Sequence, residues 1–156
     1  GPLRRDDGGY AKSERSGPSS TYQTFLIASC LQLVGIPWER PEQMIKLVRS
    51  RQRDDGGFSL STLVGPWKRR DNTPLDAASD GYATGLIAYV FEQLGEPRTQ
   101  PALRKAITWL NRNQSATDGR WPASSLNKQR DPATDAARFM SDAATAYAVM
   151  ALAGAK

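Results

Sequence analysis

Residues 53–58 read Arg-Asp-Asp-Gly-Gly-Phe, and residues 5–10 read Arg-Asp-Asp-Gly-Gly-Tyr. A looser third copy, at residues 114–121, reads Gln-Ser-Ala-Thr-Asp-Gly-Arg-Trp. Each copy joins a glycine-containing turn to an aromatic residue, and such turns recurring along one chain are typical of stacked helical hairpins. The sequence therefore predicts a repeat protein whose unit is a helical hairpin.

Two kinds of helix alternate along the chain. Nearly all-apolar helices are predicted over 19–35 and 80–95, each opening with a serine or aspartate that can cap the first turn. One-sided helices begin at Pro41 and Pro101, since proline is favoured at a first helical position. A helix that is apolar all round belongs in an inner layer and a one-sided helix in an outer one, so the alternation predicts inner helices ringed by outer helices.

The third cycle of this pattern is incomplete. A further apolar helix is predicted to start at Ser141-Asp142 and to run to Gly154, after a short extra helix over 133–140. About two and a half hairpins are thus predicted within one domain spanning 1–156, roughly at 19–58, 80–121 and 141–156. The connections over 59–79 and 122–140 are long enough to carry function.

The composition excludes several kinds of site. At 39% apolar and 24% charged, the 156 residues have the make-up of one soluble globular domain with a real core. Histidine is absent, which removes histidine-based catalysis and most transition-metal sites. The single cysteine, Cys30, sits in an apolar run and is interpreted as a buried small hydrophobe. No cofactor is predicted, although a magnesium site built from carboxylates stays open.

The net charge of +5 favours anionic partners. The densest basic stretches, around Arg49 to Arg53 and at Lys68-Arg69-Arg70, are interpreted first as a solvated face, with anionic lipid headgroups or a diphosphate as alternatives. Nucleic acid is not predicted, because no aromatic ladder is interleaved with the basic residues. No signal peptide or membrane-spanning run is seen, which favours a cytoplasmic or membrane-peripheral location over secretion. Gly1-Pro2 match what protease removal of an expression tag leaves.

One motif supports a resemblance to a known superfamily. Residues 105–110 read Lys-Ala-Ile-Thr-Trp-Leu and are followed, after three residues, by Gln114 and, after four more, by Gly-Arg-Trp at 119–121. This resembles the full glutamine-tryptophan (QW) motif of squalene and oxidosqualene cyclases, and residues 52–58 resemble the shorter Gln-x-x-Asp-Gly-Gly-Phe variant of prenyltransferase beta subunits. The resemblance implies an all-α fold in which helical hairpins form part of an α/α toroid.

In that superfamily the motif is structural. The resemblance implies the same role for Gln52, Gly56, Gly57, Phe58, Trp109, Gln114, Gly119 and Trp121. Glycine supplies the backbone freedom needed just past a helix end, and glutamine can satisfy backbone groups left unpaired where one helix ends and the next begins.

The chemistry of the superfamily is only partly matched. Class II cyclases protonate their substrate with an Asp-x-Asp-Asp-Thr-Ala motif, but residues 141–146 read Ser-Asp-Ala-Ala-Thr-Ala, with alanines in place of the paired aspartates. The zinc site of protein prenyltransferases needs a histidine that the chain lacks. The Asp6-Asp7 and Asp54-Asp55 pairs resemble an aspartate-rich magnesium motif, but lie in predicted structural turns and lack a second acidic element.

Four residues remain weak catalytic candidates. Asp80 and Asp142 are predicted to occupy equivalent positions at the start of inner helices and to act as caps. The alternative is that one of them, with Tyr82 or Tyr147, faces a cavity and handles a proton or stabilises a cation.

Two functional hypotheses follow from the sequence. The first is a terpene cyclase-like or prenyltransferase-like domain that binds an apolar isoprenoid and lacks the catalytic acid. The second is a non-catalytic toroid scaffold that binds a lipid, a peptide or a partner protein. Because two and a half hairpins do not close a toroid, a second copy or the rest of a longer chain is predicted to cover the open end.

Overall fold

The computed structural model describes residues 3–4, 10–11 and 41–154. Within these residues a short antiparallel pairing joins β1 (Leu3–Arg4) to β2 (Tyr10–Ala11). The rest of the regular structure is helical: α1 (Pro41–Arg49), α2 (Leu60–Leu63), α3 (Gly81–Gln93), α4 (Pro101–Arg112) and α5 (Asp135–Ala153). The helical fold class is confirmed, whereas Cys30 and the helix predicted over 19–35 lie outside the described residues.

Helix α3 forms the centre of the core. Asp80 caps its first turn, with the side chain accepting a hydrogen bond from the amide of Ala83 at 2.8 Å. The chain leaves the helix through Gly95, whose φ of 82° is a left-handed conformation that favours glycine. Nearly every residue between these ends is buried, including Glu92 near the end of the helix. The apolar helix predicted over 80–95 is therefore present and largely buried.

Helices α1 and α4 are one-sided, as predicted. Each begins with a proline, and in α4 the amide of Leu103 donates to the side chain of Gln100 at 2.9 Å. The core-facing residues of α4 are Ala102, Leu103, Ala106, Trp109 and Leu110. In α1, Ile45 and Val48 are buried, whereas Leu47 is 40% exposed.

Helix α5 corrects the predicted start of the third apolar helix. It runs without a break from Asp135 to Ala153, and its cap is Thr134, whose hydroxyl accepts from the amide of Ala137 at 3.3 Å. The residues between Thr134 and Ser141 have high helix propensity, and Thr134 caps the helix ahead of them. The segment expected as a separate short helix is therefore the first part of α5. Asp142 therefore lies inside the helix and is not a cap.

One face of α5 packs closely on α3. The buried residues of this face are Ala144, Ala148 and Ala151, all small. Val149 and Met150, on the other side, are 52% and 40% exposed. Helix α5 is thus buried on one face only, in contrast to the enclosed inner helix expected from its composition.

The two long connections lie side by side. The indole of Trp67 donates to the carbonyl of Leu126 at 2.8 Å, and the amide of Arg70 donates to the carbonyl of Asn127 at 2.8 Å. The second connection also reaches α3, because the amide of Gly81 donates to the carbonyl of Pro122 at 3.1 Å. The connections are therefore held together beside the N-terminal end of α3.

Candidate functional site

The two described copies of the repeated turn each place a glycine at positive φ and are closed by a backbone hydrogen bond, although the second turn is one residue longer. Gly56 and Gly119 have φ values of 90° and 71°. In the first turn the amide of Arg53 donates to the carbonyl of Gly57 at 3.0 Å, and in the second the amide of Ser115 donates to the carbonyl of Arg120 at 2.8 Å. Sequence repetition is thus matched by structural repetition.

The aromatic residue that ends each turn is buried and tied to the next apolar helix. The amide of Phe58 donates to the hydroxyl of Thr84 at 2.9 Å, and the amide of Trp121 donates to that of Thr145 at 3.2 Å. Thr84 and Thr145 therefore occupy equivalent positions. Counting back four residues from each threonine pairs Asp80 with Ser141, not with Asp142, which corrects the predicted equivalence.

The two glutamines of the motif donate to backbone carbonyls. Gln52 Nε2 donates to the carbonyls of Gly56 and Ala102 at 2.9 and 2.8 Å, and so joins its turn to the first residues of α4. Gln114 Nε2 donates to the carbonyl of Gly119 at 2.8 Å. Each glutamine side chain therefore stabilises its own turn through a hydrogen bond to a backbone carbonyl of that turn.

Asp55 is held in the first turn by several donors. Its carboxylate accepts from the amide of Gly57 at 2.9 Å, the hydroxyl of Ser79 at 2.7 Å and the indole of Trp109 at 3.1 Å. Burial alone would raise the pKa of Asp55, but these donors and the charge of Arg53 together lower it. This carboxylate is therefore ionised and fully engaged in the turn.

Asp80 lies at the junction of α2 and α3. One carboxylate oxygen accepts from the amide of Ala83, and the other accepts from the amide of Leu60 at 2.7 Å. The side chain is buried, and this burial raises the pKa of Asp80 to about 6, although the amide donors oppose the shift. Both oxygens are thus committed to the backbone, and Asp80 does not line either of the pockets described below.

The other three candidates divide into a pair and an isolated residue. The rings of Tyr82 and Tyr147 meet edge to face with centroids 5.6 Å apart, and Tyr89 lies 6.3 Å from Tyr147. Asp142 is instead a surface residue paired with Arg120 at 3.2 Å. The structure therefore brings the two tyrosines together and leaves Asp142 outside the group.

An open cavity of about 530 Å³ lies where α2, α3 and α5 meet the second connection. We call it the apolar pocket, and its main lining residues are Leu60, Tyr82, Leu126, Phe139, Met140 and Ala143. Phe139 is 73% exposed, which is unusual for a phenylalanine. Arg130 is the charged residue in the lining.

A second cavity of about 440 Å³ lies on the other side of residues 123–125. We call it the polar pocket, and its polar lining residues are Arg69, Asp76, Ser124, Ser125, Gln129, Arg130 and Ser141. The two pockets are neighbours, because five residues line both of them: Ala123, Ser124, Ser125, Arg130 and Met140.

The sequence reasoning found Tyr82 but missed the other residues of these pockets. Phe139 was placed in a short extra helix, and Arg69 was one of three consecutive basic residues interpreted as a solvated face. No local signal distinguishes Arg69 from its basic neighbours Lys68 and Arg70. Tertiary contacts alone reveal that Arg69 is buried.

The described residues offer neither a metal site nor a membrane-spanning helix. Among residues 41–154 no cluster of three or more acidic, cysteine or histidine side chains is arranged to hold a metal ion. None of the described helices combines the length and the apolar character that crossing a bilayer requires. Comparison of the chain with family models, curated proteins and solved structures gave no significant match. The superfamily resemblance therefore rests on the motifs themselves.

Proposed function

We propose that this domain belongs to the terpenoid cyclase-like α/α toroids and binds an apolar, isoprenoid-like chain without performing the acid-initiated cyclisation. The apolar pocket carries this proposal. Its volume of about 530 Å³ falls in the range usual for small-molecule sites, and such sites are lined mainly by apolar and aromatic groups with a few polar ones.

Two features of the lining suit an extended hydrocarbon. Tyr82 contributes an aromatic ring fixed by its contact with Tyr147, and aromatic faces attract apolar or cationic groups. Phe139 exposes most of its ring, and a bound chain would remove that surface from water. A ligand in the pocket would therefore bury apolar surface, including the ring of Phe139.

The surroundings of the described aspartates favour binding over cyclisation. The position equivalent to Asp80 in the next repeat is Ser141, and Ala143 lines the pocket. Asp80 itself directs both oxygens to backbone amides, and Asp142 pairs with Arg120. No described carboxylic acid lines the apolar pocket, so protonation of a substrate there would need a group from elsewhere.

The second candidate is a non-catalytic scaffold that holds a peptide or a partner protein. The exposed Val149 and Met150 of α5 favour it, since apolar residues of this size are usually covered when they cluster. A second copy, or the rest of a longer chain, would also complete a toroid. Binding of a small isoprenoid distinguishes the two candidates, because a scaffold without a lipid cavity would not bind it.

The test is a calorimetric titration with farnesol, an uncharged isoprenoid alcohol. Phe139→Ala is expected to weaken binding about tenfold or more, because burial of a phenylalanine ring contributes roughly 1.5–3 kcal/mol. Val149→Ala is the matched control, because Val149 is also an exposed apolar residue of α5 but does not line the pocket. Failure of the wild type to bind farnesol, or equal weakening by both variants, would contradict the proposal.

A further inference from the structure

The polar pocket contains a buried arginine whose charge is not neutralised within the described structure. Arg69 is 8% exposed. Its Nε donates to the carbonyl of Ser125 at 2.9 Å, and its Nη1 donates to the carbonyl of Pro74 at 2.7 Å and to the hydroxyl of Thr73 at 3.4 Å. All three acceptors are neutral, and no ion pair joins Arg69 to a described carboxylate.

Such an arrangement is uncommon. Charged side chains are seldom buried unless a counter-charge lies beside them, because removing a charge from water is costly. The three hydrogen bonds fix the guanidinium plane and leave Nη2 without a hydrogen bond to the described residues, in a side chain that lines the cavity. Arg69 is therefore a preoriented donor in a pocket open to solvent.

A second arginine converges on the same place. Arg130 lines both pockets, and its Nε donates to the hydroxyl of Ser125 at 3.3 Å, on the residue whose carbonyl binds Arg69. Asp76 also lines the polar pocket, but its carboxylate accepts from the amide of Ala78 at 2.9 Å. With two guanidinium groups and one carboxylate, the lining of the polar pocket carries a net positive charge.

We propose that the polar pocket binds a phosphate group, held by Arg69 and Arg130, with hydroxyls such as those of Ser124 and Ser141 as further donors. Planar guanidinium groups match the oxygens of phosphate and form charge-assisted hydrogen bonds to them. Because Arg130 lies between the two pockets, the phosphate is the head group of the molecule whose apolar chain lies in the neighbouring pocket. This last step rests on the proposed function.

Three probes test the site: farnesol, farnesyl monophosphate and inorganic phosphate. The wild type is expected to bind farnesyl monophosphate about tenfold or more tightly than farnesol, since hydrogen bonds to a charged group are stronger than those between neutral groups. Arg130→Gln is expected to remove most of that difference, and both affinities are measured with the variant itself because Arg130 also lines the apolar pocket. Lys128→Gln is the control, because Lys128 is exposed two residues away and lines neither pocket.

Arg69→Lys is a second test variant, because lysine keeps the positive charge but lacks the planar guanidinium group that Arg69 presents to the pocket. Its folding is checked by circular dichroism, and Arg130→Gln carries the test if Arg69→Lys does not fold. Equal affinity for farnesol and farnesyl monophosphate, or equal effects of Arg130→Gln and Lys128→Gln, would overturn the phosphate site.

The outcomes separate the two proposals. Binding of farnesol without any gain from the phosphate overturns the polar site alone. Binding of inorganic phosphate that depends on Arg130, without binding of either farnesyl compound, supports a site for free phosphate and overturns both the head-group assignment and the isoprenoid proposal. Absence of binding for all three probes overturns both.

Discussion

Asp80 and Asp142 carry the same side chain in opposite surroundings. Asp80 is buried and accepts hydrogen bonds from two backbone amides. The side chain of Asp142 is 61% exposed and forms an ion pair with Arg120, whose side chain is 43% exposed. An exposed ion pair of this kind contributes little to stability, whereas the ionised form of a buried carboxyl must be compensated by donors. Replacing the two residues should therefore affect the stability of the protein differently.

The stability of the protein is expected to depend on pH through Asp80. The unfolded chain ionises this group near 3.8, whereas burial keeps it protonated up to about 6 when folded. The stabilisation that protonated Asp80 contributes is therefore fully present below its pKa in the unfolded chain. This stabilisation is lost as the pH rises through the pKa of Asp80 in the folded protein. The difference in unfolding free energy between wild type and Asp80→Asn should fall by on the order of 2–3 kcal/mol between about pH 4 and pH 7.

Urea denaturation at several pH values measures this difference. Asp142→Asn serves as the control, because Asp142 is exposed and its ion pair with Arg120 contributes little to stability. Parallel curves for wild type and Asp80→Asn would show that Asp80 does not hold its proton in the folded state.

At the scale of elements, the packing of α3 on α5 depends on small residues. A Cβ added at Gly85 would lie 2.7 Å from the amide nitrogen of Ala148 and 3.0 Å from the carbonyl carbon of Tyr147. These are backbone atoms of α5, which cannot rotate away as a flexible side chain would. Gly85 therefore sets how closely the two helices approach.

Gly85→Ala is expected to lower the free energy of unfolding by about 1–3 kcal/mol. Helix propensity alone would favour alanine by roughly 1 kcal/mol, so the predicted sign comes from the contact with α5. Gly95→Ala is the comparison, because nothing lies within 4 Å of its added Cβ and only its φ of 82° is unfavourable. A Gly85→Ala protein more stable than wild type in urea denaturation would show that the helices can separate without loss.

At the scale of the whole molecule, the two connections join parts of the chain that are distant in sequence. Arg69 takes part in this junction through the carbonyl of Ser125, and the amide of Gln129 donates to the carboxylate of Asp71 at 2.8 Å. Both pockets are built on the second connection. Loss of the junction would therefore disturb the core-facing turns and the candidate site together.

Arg69→Ala is expected to destabilise the protein by about 1–3 kcal/mol, because it leaves the carbonyl of the buried Ser125 without its donor. Arg70→Ala should change stability by no more than about 0.5 kcal/mol, because that neighbouring side chain is exposed. Urea denaturation followed by tryptophan fluorescence compares the two. Equal effects of the two substitutions would show that the junction does not stabilise the fold.

The pattern of the sequence was sufficient for the local structure of α1, α3 and α4. Proline at the start of α1 and α4, Asp80 at the cap of α3 and Gly95 after it are short-range signals, and each acts through the backbone of its own helix. The repeated glycine turns could be predicted for the same reason, since a position with left-handed backbone conformation favours glycine.

The extent of α5 and the candidate site were decided by the tertiary structure. Ser141-Asp142 is an acceptable helix start in isolation, but Thr134 caps the chain earlier and the helix continues through it. The burial of Arg69 depends on the second connection lying against the first, and no local pattern encodes that contact. The sequence by itself determined where the helices and turns form, because those signals are local, whereas the pockets exist only because distant segments are packed together.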